Sequence, residues 1–209
     1  MLWSILPREN RVKYPIIILL RHGQTQWNVE ERYQGQLNSN LTPLGKEQAK
    51  ENALKIKKFF KLNTHCPIFS SPLGRAKETT AIICKELNID INSVSFDKNI
   101  QEINYGIFEG KQKKFCQREY ASAFEAREAS KWSYKLEGGG ESYEEVSKRL
   151  YKWLLSIKDE SIVVVIAHEM INRTLRGMYL NYSPDLTLNL RQPNDMVLKL
   201  ENYEESIVE

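Results

Sequence analysis

The sequence predicts an α/β protein: a three-layer α/β/α sandwich whose mostly parallel central sheet carries helices on both faces. Three observations predict it. Tyr14 to Leu20 and Ile162 to Ala167 are apolar runs with no polar alternation, as strands covered on both faces require. Segments with apolar residues at helical spacing lie between the strand-like runs. No internal repeat, linker or low-complexity tract interrupts the alternation, and 209 residues at 41% hydrophobic can bury a sizeable core. The expected division is an N-terminal extension over residues 1–13 and a single domain over 14–209.

The elements follow in order. The first apolar run stops abruptly at Arg21-His22-Gly23, the way a buried parallel strand ends in an open sheet. Thr42 as N-cap with Pro43 at the first helical position starts a helix whose buried face is Ala49, Ala53, Ile56 and Phe60. Cys66 to Ser70 reads as a second short strand. From Pro72 a helix follows, with Leu73, Ala76, Thr80, Ile83 and Leu87 on its apolar face and Arg75 in its first turn, clear of that face. Ser93 to Phe96 reads as a third strand. Lys111 to Leu136 is polar and partly helical. Ser142 and Glu145 form a capping box for a helix with Val146, Leu150, Trp153, Leu154 and Ile157 as core stripe. Ile162 to Ala167 is the most strand-like run of all and ends at His168-Glu169. A helix through Arg173 to Leu180 comes next, and Met196 to Leu200 closes the chain as an edge strand.

Composition narrows the function. A net charge of +3 without a basic stripe gives no reason to expect nucleic acid. Three cysteines, Cys66, Cys84 and Cys116, with no CxxC spacing read as free thiols in a reducing compartment. No run reaches transmembrane length, so a soluble cytoplasmic protein is expected, with no membrane partner.

Of the three histidines, His22 and His168 share one structural address, immediately after a buried strand. Arg21 stands beside the first, and Arg75 opens a helix that follows another strand. The carboxyl ends of parallel strands open on one edge of the sheet, so these four side chains can converge on one crevice. Two imidazoles and two guanidiniums beside a helix N-terminus suit a tetrahedral dianion, and a phosphoryl group is the obvious occupant. Gly23 would let the backbone approach it closely.

These motifs resemble those of the histidine phosphatase superfamily, in its cofactor-dependent phosphoglycerate mutase-like branch. RHGQTQWN from Arg21 is close to that family's signature RHG[EQ]TxWN. YQGQLNSNLTPLG, SSPLGRAKETTA with Arg75, QEINYGIFEG, EGGGES and IAHEMINRTLRG match the later segments in family order, from about Ile16 to Leu200. One position departs: the family usually has glycine after the second histidine, and this chain has Glu169. A carboxylate beside a phosphate pocket is electrostatically unfavourable unless it turns away or pairs with a cation such as Arg173. The expectation is that Glu169 turns outward as the first residue of its helix.

The resemblance implies phosphoryl transfer through a phosphohistidine on His22, with Glu102 as proton donor and Arg21, Arg75 and His168 holding the phosphoryl oxygens. Asn28, Thr25, Gln34, Gly35 and Glu169 are the candidate substrate contacts. No metal or other cofactor is expected, since arginines neutralise the charge. The expected partner is a small phosphorylated metabolite, and a homodimer is left open. The leading expectation is a metal-independent phosphatase. The alternatives are a phosphoglycerate mutase, disfavoured by the shortness of the Lys111 to Leu136 insertion, and a catalytically inactive member that binds a phosphorylated ligand. Lys113, Lys114 and Arg118 in that insertion suit contact with an acidic substrate or, equally, a solvated helix face. A metallohydrolase built on His22, His168 and Glu102 is a poor fit, because two adjacent arginines would repel a divalent cation.

Overall fold

The run IIILLR forms strand β1 (Ile16–Arg21), and its alternate side chains divide the core in two. In the computed structural model, which describes residues 13–62 and 65–209, Ile17 and Leu19 face one layer while Ile18 and Leu20 face the other, all fully buried. Strand β4 (Ile162–Ala167) repeats the division. Val163 and Val165 join Ile17 and Leu19, and Val164 and Ile166 join Ile18 and Leu20. Helices α2 (Pro43–Leu62) and α3 (Gly74–Leu87) cover the second face through Ala53, Ile56, Ile83 and Cys84. Helices α6 (Tyr143–Ser156) and α7 (Glu169–Tyr179) cover the first through Val146, Leu150, Trp153, Ile171 and Leu175. This is the three-layer arrangement that the continuous apolar strands require. Removing a whole aliphatic side chain from either layer, for instance Leu150→Ala, would cost about 2–5 kcal/mol.

The sheet has six strands in the order β3-β2-β4-β1-β5-β6. Strands β2 (Ile68–Ser70), β3 (Ser95–Phe96), β4 and β1 run parallel, with Arg21 opposite Ala167 and Ser70 opposite Ile166. The register brings the carboxyl ends of β1, β2 and β4 level on one edge. Past the strands, His22 N–H still donates to Ala167 O and Ser71 N–H to Ile166 O, so the ladder holds the first residue after β1 and after β2 as well.

The sequence reading is corrected at the chain's end. Strand β5 (Leu198–Glu201) pairs antiparallel with β1 and is not the edge, because β6 (Glu204–Ile207) lies outside it. All four β6 residues are exposed, so the strand carries no buried period to read. Helix α8 (Pro184–Asn189) was also not anticipated, although Ser183 and Pro184 supply its cap and first residue. The insertion after Lys111 folds as α4 (Lys113–Glu119) and α5 (Ala121–Ala129), and the polar residues after Gly23 form the single turn α1 (Gln26–Val29). The capping box at Ser142 is present: its Oγ accepts from Glu145 N–H at 3.2 Å and its own N–H donates to Glu145 Oε2 at 3.1 Å. Residues 1–12 of the expected N-terminal extension lie outside the described residues. No helix among the described residues is long and apolar enough to cross a membrane.

Candidate active site

The level strand ends carry His22 and His168 into van der Waals reach, with ring centroids 5.1 Å apart. Both are buried, and the bonds around each fix its proton. His22 Nδ1 lies 2.8 Å from Gly23 O, and a carbonyl can only accept, so we assign the ring proton to Nδ1 and leave a lone pair on Nε2. That lone pair accepts from Arg75 Nε at 3.2 Å. Burial, reinforced by the Arg75 and Arg21 guanidiniums, holds the His22 pKa well below the ordinary histidine value. His22 is therefore a neutral imidazole with its nucleophilic nitrogen towards a guanidinium.

Burial and the same cations depress His168 likewise. Its Nε2 lies 2.7 Å from Ser71 Oγ, which already accepts from Leu73 N–H at 3.3 Å. Directing the Ser71 proton onto Nε2 puts the imidazole proton on Nδ1, an atom buried with no partner among the described residues. Arg21 Nε is buried and unpartnered in the same way. Both orphaned donors belong to residues beside His22, and a buried donor without a partner calls for an acceptor.

Arg75 is 1% exposed, and each of its nitrogens is used: Nε on His22, one terminal NH2 on Leu37 O at 2.7 Å and the other on Gly35 O at 2.7 Å. Its helix has no capping side chain of its own. Asn38 Oδ1 supplies the cap from the loop ahead of α2, accepting from Arg75 N–H at 2.7 Å. Gly23 is needed for another approach than the one expected. A Cβ there would collide with the backbone of Gly45 at the start of α2, while Gly23 N–H donates to Thr79 Oγ1 at 3.1 Å. The glycine lets the His22 loop lie against the neighbouring helix.

Glu102 arrives from the loop after β3. Its Oε1 accepts from Ile103 N–H at 2.9 Å and its Oε2 from Met170 N–H at 3.4 Å. Burial raises its pKa above the ordinary carboxyl value, and Arg75 pulls in the opposite direction without cancelling it. A second pair holds the loop in place. Arg149 binds Glu141 at 2.9 and 3.0 Å and also donates to Asn99 O and Glu102 O, while Glu141 Oε2 accepts from Asn104 N–H. Sequence reasoning assigned Glu141 only to a turn and missed Arg149. Neither touches the cleft, so no local pattern marks them.

The cleft has a volume of about 380 Å3. Arg21, His22, Arg75, Glu102, Asn28, Gln34, Gly35 and Glu169 all line it. Two expected residues lie elsewhere. His168 is completely buried behind His22, and Thr25 is completely buried as the cap of α1. Thr25 N–H and Oγ1 both bond Asn28 Oδ1 at 3.0 Å, leaving the amide NH2 of Asn28 for a ligand. Of the insertion's cations, Lys113 reaches the cleft, while Arg118 pairs with Glu119 on the surface. Arg127, Lys131 and Phe124 of the insertion also line it, as do Arg32 and Arg191, none of which the motifs pointed to, and Arg173, which the sequence offered only as a partner for Glu169.

Glu169 corrects the expectation for it. It turns inward, placing Oε2 2.9 Å from Arg21 and Oε1 3.4 Å from Arg173. Two guanidiniums within reach outweigh the pull of solvent on a carboxylate in the first turn of its helix. Among the described residues no group of three or more histidines, cysteines and carboxylates is arranged to hold a metal ion.

A mixed sheet whose parallel strand ends gather two neutral histidines, two guanidiniums and a raised-pKa carboxyl at one edge defines an α/β protein with a charged cleft at its strand ends. The chain belongs to the histidine phosphatase superfamily (branch 1), whose model matches residues 17–208. It is 33% identical over 202 residues to the Shigella boydii protein named "Probable phosphoglycerate mutase GpmB", covering 91% of this chain and 86% of that one. Among solved structures it resembles a mycobacterial glucosyl-3-phosphoglycerate phosphatase in complex with VO3, with a TM-score of 0.73 at 25% identity, covering 92% and 97% of the two chains. It also resembles Bacillus stearothermophilus YhfR, with a TM-score of 0.74 at 26% identity over 90% and 91%.

Proposed function

We propose that this protein is a metal-independent phosphatase that hydrolyses small phosphorylated metabolites through a phosphohistidine on His22. The observation that carries the reading is the state of His22: Nδ1–H tied to Gly23 O, Nε2 bearing a lone pair, and a depressed pKa that keeps it there. Nε2 attacks phosphorus as the bond to the ester oxygen breaks, and the departing alkoxide takes the proton of Glu102. Arg75 exchanges its bond to Nε2 for one to a phosphoryl oxygen, Arg21 binds another, and His168, buried against His22 and outside the cleft lining, keeps the ring of the nucleophile in place. Water then attacks the phosphohistidine, losing its proton to Glu102, and the P–N bond breaks to return neutral His22. The relatives support both a phosphatase and a mutase. The shortness of the insertion over α4 and α5, whose helices span seven and nine residues, favours the phosphatase because water keeps access to the phosphoenzyme.

The test is hydrolysis of an aryl phosphate with chelator present, together with a panel of phosphorylated metabolites that includes 3-phosphoglycerate. Chelator-insensitive phosphate release that His22→Ala lowers by about a thousandfold or more supports the reading. Acid-labile labelling of wild type but not of His22→Ala identifies the intermediate. Isomerisation without net phosphate release would make the protein a mutase, and neither activity on any substrate would leave a binding role.

A further inference from the structure

Glu169 occupies a peculiar position in a cleft built for an anion. Among the cationic groups nearest the nucleophile, Arg75 has both terminal nitrogens held by carbonyls and only its Nε bond to His22 to exchange. Arg21 is the guanidinium with capacity left: one terminal nitrogen donates to Gln192 O at 3.0 Å, and Nε has no partner among the described residues. The same terminal nitrogen carries Glu169 Oε2 at 2.9 Å, so the chain's own carboxylate sits on the group that a phosphoryl oxygen would use. The other carboxylate oxygen reaches Arg173, which is 3% exposed and anchored by Leu190 O at 2.8 Å and Tyr143 Oη at 3.0 Å. Arg173 is a fixed berth 3.4 Å away, on which the carboxylate can settle when it releases Arg21.

We infer that Glu169 is a specificity-determining residue acting as an internal competitor for Arg21, one that weakens the hold on inorganic phosphate and thereby favours product release. The inference rests on the reading of this cleft as a phosphatase site. Its physical basis is charge. A carboxylate that shares the Arg21 guanidinium with the arriving dianion and stays within a few ångströms of it subtracts from phosphate affinity twice: by competition and by repulsion. Partial exposure of both side chains, 13% and 22%, leaves the exchange open to the cleft while limiting its magnitude.

The experiment is calorimetric titration of the full-length chain with inorganic phosphate, comparing wild type, Glu169→Gln and Glu169→Asp. Glu169→Gln is expected to bind phosphate about tenfold more tightly. Glu169→Asp, which keeps the charge on a shorter arm, should stay within about threefold of wild type. A damaged site binds more weakly, so a gain in affinity is not what a purely structural role would give. The same gain should appear as stronger product inhibition by phosphate in the aryl phosphatase assay. Equal or weaker phosphate binding by Glu169→Gln, or no measurable binding by any form, would overturn the inference. Labelling of His22 answers separately whether the cleft is a phosphatase, and that result can stand while this one falls.

Discussion

The cleft has two halves built on different principles. In the inner half, His22, Arg75, Glu102 and His168 are all nearly or wholly buried, and backbone groups or buried side chains fix each of them. In the outer half, Arg127 and Lys131 from the insertion share Glu128, whose side chain is 43% exposed, and Lys113 is open to solvent. The inner half is preorganised by the sheet, so its groups are already placed for charge that develops during transfer. In the outer half only Arg127 is buried, over the Tyr105 ring, while Glu128, Lys131 and Lys113 reach solvent, so most of its charges are free to adapt to what they meet. The difference teaches that in this fold the groups at the sheet edge are fixed by burial, while an appended helical segment supplies the more exposed charges of the same cleft.

The contrast is tested most severely at Glu102. Glu102→Gln keeps one oxygen to accept from Ile103 N–H, gives up the longer bond from Met170 N–H, and has no acid proton to give. With an alkyl phosphate, kcat should fall about a hundredfold or more, and the loss should shrink with a nitrophenyl phosphate, whose leaving group needs no proton. Equal losses on both substrates would mean that Glu102 holds the loop and does not move protons. The wild-type profile should also have a basic limb. As pH rises through the raised Glu102 pKa, above the ordinary 4.5, the donor is lost and activity declines. Neutral His22 imposes no matching loss until far below the ordinary histidine value of 6.5.

Ser71→Ala comes next in size. It removes the partner of His168 Nε2 without touching the cleft, freeing the ring to adopt either tautomer. kcat should fall about tenfold with KM little changed, while thermal stability drops by about 1–2 kcal/mol from the unpaired buried nitrogen. Full activity would show that His168 is held by packing alone.

Stability should carry its own signature of the inner half. His22 and His168 are neutral in the folded protein and titrate near 6.5 when unfolded, so the unfolded chain gains protons first as pH falls. Their contribution is intact above about 6.5 and is lost as pH falls below it, towards their depressed folded values. A melting temperature that falls between pH 7 and pH 5 in wild type, and falls less in His168→Gln, would match. Parallel curves would place the acid sensitivity elsewhere.

How far the sequence could be read follows the same division. The unbroken apolar runs of β1 and β4 marked both the fold and the address of the two histidines, because a strand buried on both faces tolerates no polar residue before its end. The place of Arg75 at the cleft was legible, but not its burial, since the carbonyls of Gly35 and Leu37 that receive it lie in a loop whose path no periodicity encodes. Arg149 and Glu141 were hidden for a similar reason: they act through the backbone of residues 99–104, and long-range contacts of that kind leave no spacing. The inward turn of Glu169 depends on Arg173 one helical turn later, a pairing the sequence offered as one option and could not choose. Exposed β6 gave no signal at all.

The smallest expected effects lie on the rim, and they decide whether the outer half matters. Lys131 and Lys113 touch nothing in the inner half, so Lys113→Ala and Lys131→Ala should leave kcat unchanged and raise KM about two- to fivefold for an acidic substrate. An uncharged aryl leaving group should show no change. Because these charges face water, the KM effect should fade in about 0.5 M salt, where the Debye length is only a few ångströms. A change in kcat would join the two halves into one machine, since only interactions realised in the transition state alter that constant. A KM shift that persists in high salt would show instead that the insertion closes over its substrate and shields these cations from solvent.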